Sequence, residues 1–188
     1  MPAAQNQKVK MLEIGLGCDM SYGPGASYYA WLRYFPHVEI YYIEYDSRCD
    51  RNWADKTTGA TFYFSDQGDT AVLQEFIDEI GGDFDIIIEH NGHFTNQQIV
   101  SFEVLWPVIK PGGIYFVENP ETSHITYYGS DTSSGRDSRI ETMANYVYEL
   151  MDEGFQADRN VHYVSLKMRG IDCQRGICAL FKKEIGDI

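Results

Sequence analysis

The sequence predicts an α/β fold: one Rossmann-like domain with a seven-stranded, mostly parallel sheet, a C-terminal antiparallel hairpin and helices on both faces. Three observations carry this. Short apolar runs alternate with stretches of helical period along all 188 residues, the pattern of a sheet built from parallel crossovers. Phe-Asp-Ile-Ile-Ile-Glu at 84–89 and Gly-Ile-Tyr-Phe-Val-Glu at 113–118 are apolar at the centre and finish on an acid, as buried strands do when their carboxyl ends face a site. Residues 11–17, Met-Leu-Glu-Ile-Gly-Leu-Gly, end another such run in two glycines, where backbone approaches a ligand closely.

Taken in order, residues 1–7 are polar and are expected to be a flexible N-terminus. A first strand is predicted over Lys8–Ile14, then a helix over Ala26–Tyr34 whose aromatic run, Tyr28, Tyr29, Trp31, Tyr34 and Phe35, turns one side to the core. A strand over Glu39–Glu44, a helix over Arg48–Lys56 and a strand over Thr61–Phe64 follow. The helix predicted over Thr70–Ile80 sets Val72, Leu73, Phe76, Ile77 and Ile80 on one stripe, with Asp69 as its N-cap and Gly81-Gly82 as its stop. After the strand at Phe84–Glu89 come a helix over Asn96–Val108 and a strand over Gly113–Glu118. Residues 120–137, rich in Ser, Thr, Gly and Tyr, are too polar to pack as core and read as a lid loop above the carboxyl edge. A helix over Ser138–Asp152 leads to strands at His162–Met168 and Ile177–Lys182, whose approach around Gly170–Gly176 reads as a hairpin closing the sheet.

Charge and cysteine usage exclude several classes of function. With 15 Lys plus Arg against 28 Asp plus Glu, a net charge of −13 leaves no basic stripe for a phosphate backbone, so nucleic acid is not a partner and a small neutral or cationic substrate fits. No apolar stretch approaches the roughly 20 residues that span a bilayer, and residues 1–10 lack the apolar centre of a signal peptide, so the protein is expected in the cytoplasm, away from membranes. Cys18, Cys49, Cys173 and Cys178 show no Cys-x-x-Cys spacing, which disfavours zinc and suggests a reducing compartment. The aromatic content, 14%, is high enough to suggest a homodimer.

The chemistry gathers where strands end. Glu13, Gly15 and Gly17 surround the first strand end, and Glu44 and Asp46 the second, where a carboxylate suits ribose hydroxyls. The turn is Gly-Leu-Gly-Cys-Asp rather than Gly-x-Gly-x-x-Gly, and Glu13 would repel a pyrophosphate. The pairing therefore favours a cationic, phosphate-free nucleoside, S-adenosyl-L-methionine (SAM), over a dinucleotide. Asp66 and Gln67 offer donors and acceptors to an adenine edge, Glu89 and Tyr22 join the cofactor set, and His93 precedes a helix where a neutral imidazole can act as general base.

The run Leu12 to Asp19, Ser21-Tyr22-Gly23, Glu44-Tyr45-Asp46, Asp66-Gln67-Gly68-Asp69, Asn96-Gln97-Gln98, Leu105-Trp106-Pro107 with Lys110-Pro111-Gly112-Gly113, and Glu118 before Thr122-Ser123 resembles the class I SAM-dependent O-methyltransferases of natural-product biosynthesis, in the branch that methylates macrolide sugars. The resemblance covers the chain from about Lys8 to Lys183. In that family the segment after the fourth strand usually reads Asp-Asp-Gly-Gly/Ser-His and the fifth strand ends Glu-Asp; three of these acids hold magnesium and the His is the proposed base. Carried over, His93 falls on the base and Glu118 on one metal ligand, while the other two metal positions hold His90 and Asn119. His90, Glu118 and Asn119 are a poor set for magnesium, which prefers hard anionic oxygens, so a divalent metal is not expected.

The function the resemblance implies is transfer of a methyl group from SAM to a hydroxyl of a small natural-product metabolite, without magnesium, with His93, His90 and Glu118 as catalytic residues. The altered metal positions motivate an alternative, a non-methylating cyclisation, isomerisation or elimination on a secondary metabolite in which the same three residues do acid–base work. A third reading is a catalytically inactive binding subunit.

Overall fold

The computed structural model describes residues 8–18, 24–48, 56–90, 95–120, 145–147, 149 and 162–187. Among them seven strands, β1 (Val9–Ile14), β2 (Val38–Glu44), β3 (Ala60–Phe64), β4 (Phe84–Glu89), β5 (Ile109–Glu118), β6 (Met168–Gln174) and β7 (Ile177–Lys182), form one sheet in the order β3-β2-β1-β4-β5-β7-β6. β1 to β5 run parallel, and β7 lies antiparallel between β5 and β6. The helices are α1 (Ala26–Tyr34), α2 (Thr70–Ile80), α3 (Thr95–Leu105) and the short α4 (Tyr163–Leu166). This is the predicted fold class. No helix among the described residues is long and apolar enough to cross a membrane.

Alternation along the strands sorts the core into two layers. Leu12, Ile14, Tyr41, Ile43, Ile87 and Tyr115 face α2 and α3, where they meet Leu73, Phe76, Phe102 and Leu105. Ile40 and Tyr42 face the other way and pack with Leu16 and Tyr28 of the α1 side. α2 follows its sequence signals: the Asp69 carboxylate accepts from the backbone N–H groups of Ala71 (2.9 Å) and Val72 (3.4 Å), and Leu73 and Phe76 are buried. Full burial of such side chains contributes roughly 1.5–3 kcal/mol each. At the amino-terminal edge of the sheet two lysines tie off the ends of helical segments. Lys10 Nζ donates to the carbonyls of Ile80 (3.0 Å) and Gly82 (2.9 Å), and Lys182 Nζ donates to those of Trp106 (3.0 Å) and Pro107 (2.9 Å).

Three expectations are revised. The strand expected at His162–Met168 is α4, and the edge strand runs over Met168–Gln174 instead. His162 caps α4 by accepting from Val164 N–H (3.4 Å), Ser165 Oγ donates to Glu149, and Tyr163 OH donates to the Glu103 carbonyl (2.7 Å), so capping and these longer-range contacts outweigh the strand-like composition. The helix expected over Asn96–Val108 ends at Leu105, where Trp106–Val108 tighten into a 3₁₀ turn around Pro107, and β5 starts four residues early at Ile109. Finally, Cys173 and Cys178 form a disulfide with Cα atoms 4.1 Å apart, and Cys18 is also disulfide-bonded. The two-residue loop Arg175-Gly176 sets Cys173 directly opposite Cys178, which removes the cysteine-based argument for a reducing compartment. The expected helices over 48–56 and 138–152, residues 1–7 and the lid beyond Pro120 lie mostly or wholly outside the described residues.

Candidate active site

The chain starts in the middle of the sheet, winds outward through β2 and β3, then returns to place β4 on the other side of β1. That reversal opens a crevice at the carboxyl ends of the strands, the usual ligand site of such sheets. A groove of about 700 Å³ lined by Lys110, Lys167 and Lys182 lies at the opposite edge, away from it.

Gly15 (φ 96°) and Gly17 (φ 73°) both take the left-handed conformation, which costs an L side chain about 1–2 kcal/mol. They turn the chain over the end of β1 with no side chain at either position. The turn is anchored to β2: Gly15 N–H donates to the Ile43 carbonyl (2.8 Å) and Leu16 N–H to Glu44 Oε2 (2.8 Å). Glu44 Oε1 accepts from Asp46 N–H (3.0 Å), and the side chain is 2% exposed. Its carboxylate thus clamps the glycine turn to the exit of β2, while Asp46, further out, pairs with Arg48 (2.9 Å). Beneath the turn Glu13 is buried and accepts from Trp31 Nε1 of α1 (3.1 Å); burial pushes its carboxyl up despite that hydrogen bond.

After β3, Asp66 Oδ1 accepts from Gly68 N–H (2.8 Å) and from Gln97 Nε2 (3.0 Å), docking the first turn of α3 on this loop. Gln67 is buried and donates through Nε2 to Glu89 Oε1 (3.2 Å). Glu89 is 0% exposed, and its Oε2 accepts from Tyr115 OH (2.7 Å) and from Ser101 Oγ. The carboxylate expected to meet the cofactor instead points into the α3 layer, where it joins β4, β5, α3 and the loop after β3.

The β4–β5 register pairs Glu89 with Val117, which brings His90 beside Glu118. His90 Nδ1 lies 2.5 Å from Glu118 Oε2, and His90 N–H donates to the Ile14 carbonyl (3.0 Å). The hydrogen bond to Glu118 raises the imidazole pKa, outweighing the opposite effect of burial. Asn119 takes a positive φ of 51° and its N–H donates to the Gly176 carbonyl (2.8 Å), tying the end of β5 to the hairpin. An imidazole already engaged by a carboxylate, that same carboxylate and an amide do not fit magnesium. Among the described residues no group of three or more His, Cys, Asp or Glu is placed to hold a metal ion. Tyr22 and His93 lie outside the described residues.

Sequence reasoning missed the partners that fix these groups: Trp31 under Glu13, Gln97 on Asp66, and Ser101 and Tyr115 on Glu89. The signal for Ser101 was its place one turn before Leu105 and beside Phe102 on the inner side of α3, where a hydroxyl needs a buried partner. It missed Gln98 as well, whose side-chain amide is buried with neither atom hydrogen-bonded.

No protein-family model matches the chain. It is 31% identical over 163 residues to the L-olivosyl-oleandolide 3-O-methyltransferase of Streptomyces antibioticus, covering 86% of this chain and 39% of that protein. It is 33% identical over 130 residues to the mycinamicin VI 2''-O-methyltransferase of Micromonospora griseorubida, covering 66% of this chain and 30% of that protein. The solved structure of the MycE methyltransferase of the mycinamycin pathway, in complex with Mg and SAH, superposes with a TM-score of 0.81 over 97% of this chain and 46% of that one, at 23% identity. The chain therefore spans less than half the length of these relatives. Similarity over most of its own length, together with the shared Rossmann-like methyltransferase fold, makes this chain a relative of the natural-product sugar O-methyltransferases.

Proposed function

We propose that this chain is the SAM-binding, methyl-transferring unit of an O-methyltransferase acting on a hydroxyl of a small natural product, and that it works without magnesium. The observation that carries the reading is the left-handed Gly15–Gly17 turn clamped by Glu44 at the switch point of the sheet, in a chain whose relatives bear O-methyltransferase names. Backbone at Gly15 and Gly17, with Tyr22 nearby in sequence, would hold the amino-acid portion of SAM. Glu44 and Asp46 would take the ribose hydroxyls and Asp66 and Gln67 the adenine edge. When bound, SAM supplies an electrophilic methyl group on a sulfonium.

The chain's own residues do the rest. His93 removes the proton of the acceptor hydroxyl as that oxygen attacks. Glu118 orients His90 through Nδ1, so a protonated imidazole lends positive charge to the developing alkoxide where a metal would otherwise sit. The fixed crevice supplies proximity. The same oriented imidazole favours, as a second reading, acid–base chemistry on a metabolite without methylation. Exposed Tyr29, Leu32 and Tyr34 on α1 support a homodimer, which sedimentation measures.

The test is thermal unfolding with and without S-adenosylhomocysteine (SAH), followed by incubation with SAM and candidate hydroxylated acceptors. A stabilised fold and a product heavier by one methyl, at a rate unchanged by a chelator, is the expected result. No stabilisation by SAH, or a rate abolished by chelation, refutes it, and an isomer of unchanged mass replaces it with the second reading.

A further inference from the structure

Among the described residues, Gln98 is the side chain with two buried polar atoms left without partners, where Tyr42 and Trp106 leave one each. Its side chain is 3% exposed and both amide atoms, Nε2 and Oε1, lack a hydrogen-bond partner. Leaving such groups unpaired is costly, and native proteins rarely do so without cause. Its position gives the cause. Ser101, one turn further along α3, reaches Glu89 at the last residue of β4. Gln98 therefore stands about 4.5 Å higher on the same side of the helix, above the end of β4. Helical side chains lean toward the helix N-terminus, which here is the end nearer the crevice.

Alternation places the two sides of the crevice. Glu89 turns to α3, so its neighbour His90 belongs to the other face, where Glu118 meets it and Glu13 of the α1 layer lies close enough to act on its charge. A ligand resting across the carboxyl ends of β4 and β5 would have the His90–Glu118 pair on one side and, on the other, the turn of α3 that carries the enclosed Gln98 amide.

Resting on the proposed methyl transfer, we propose that Gln98 is an acceptor-recognition residue: its amide donates to one hydroxyl and accepts from another hydroxyl of a sugar-like polyol, holding the acceptor over His90. An amide presents a donor and an acceptor side by side, which matches adjacent hydroxyl groups and mismatches an apolar acceptor. A site that hydrogen-bonds substrate hydroxyls also rejects analogues lacking them, because its own buried groups would stay unpaired.

The probe is methyl α-L-rhamnopyranoside, titrated by saturation-transfer NMR into the SAH-loaded protein. Gln98→Met keeps length and helix propensity but removes both polar atoms. The expected result is SAH affinity within twofold of wild type, a higher melting temperature without ligand because the unpaired amide is gone, and glycoside binding weakened by about tenfold or more, the equivalent of one to two lost hydrogen bonds. Equal glycoside binding by wild type and variant, or none by wild type, overturns the assignment. Joint loss of SAH and glycoside binding in the variant overturns it too, since Gln98 would then serve the cofactor or the fold. Failure of wild type to bind SAH instead sinks the methyltransferase reading beneath it.

Discussion

Replacing Glu89 tests whether the carboxylate at the end of β4 holds the fold or meets the cofactor. The side chain is 0% exposed and accepts from Gln67 Nε2, Ser101 Oγ and Tyr115 OH. Glu89→Ala orphans these donors, except that Ser101 already contacts the Gln98 carbonyl (3.2 Å) and can fall back on it. Two buried donors then remain, each costing about 1–3 kcal/mol, with a small cavity in addition. The sum is about 4 kcal/mol, which a urea titration would show as a midpoint about 2 M lower at a slope of about 2 kcal/mol/M. Glu89→Gln keeps the volume and one acceptor, and the Ser101 hydroxyl can rotate to accept from the new amide, so its cost is about 1–2 kcal/mol. In this account the Gln variant, once folded, binds SAH within a few-fold of wild type. An Ala variant within 1 kcal/mol of wild type, or a Gln variant that folds normally yet loses more than tenfold in SAH affinity, would refute the structural role and restore the cofactor contact.

Three further outcomes follow from the same geometry. His90 has a folded-state pKa raised above its usual 6.5 by Glu118, so its pairing stabilises the fold fully below about pH 6.5 and the gain fades as pH rises through the raised value. The stability margin of wild type over His90→Gln, about 1 kcal/mol for a half-buried pair, should accordingly be present at pH 6 and gone by pH 9, and a margin that grows with pH contradicts the pairing. Opening the Cys173–Cys178 bridge, which closes a loop of sequence separation 5, should cost about 2 kcal/mol by loop-closure entropy, read under oxidising conditions, where the Cys18 bridge stays closed, as a lower unfolding midpoint for a Cys173→Ser/Cys178→Ser variant than for wild type. Asp69→Ala removes the cap of α2 and should cost about 1 kcal/mol in denaturant while leaving SAH affinity unchanged.

The centre of the sheet was legible because β1, β2 and β4 are largely buried and read as apolar runs with an acid at or next to their last residue. β1, β4 and β7 fall within one residue of expectation. The misses occur where periodicity stops being the deciding force. Residues 162–168 look like a strand by composition, but capping by His162 and the contacts of Ser165 and Tyr163 with distant residues decide for a helix. The early start of β5 depends on a register shift between Phe84 and Ile86 that no local pattern encodes. The disulfide was hidden because it depends on which residues oppose each other across a two-residue loop, a fact of register and not of cysteine spacing alone. At the site, positions were readable and directions were not: Glu44, Glu89 and Glu118 each end a strand, yet alternation sends Glu89 to the α3 layer and Glu118 to His90.

Those directions change how the crevice selects its ligand. Counted from the sequence, Glu13, Glu44, Glu89 and Glu118 make the strand ends look strongly negative. In the fold Glu13 is buried with its pKa raised toward the neutral form, Glu44 accepts from two backbone N–H groups, Glu89 is enclosed by three donors, and Glu118 faces an imidazole. Each carboxylate is engaged by a protein group before a ligand arrives, so its orientation is fixed whether or not its charge remains. What these acids build instead is shape: a glycine turn fixed to β2, α3 fixed to β4 and β5, and an imidazole fixed at the end of β4. Selectivity at such a site comes from preorganised backbone and hydrogen-bonding positions. That is also why a buried amide left without partners in it matters more than its lack of charge suggests.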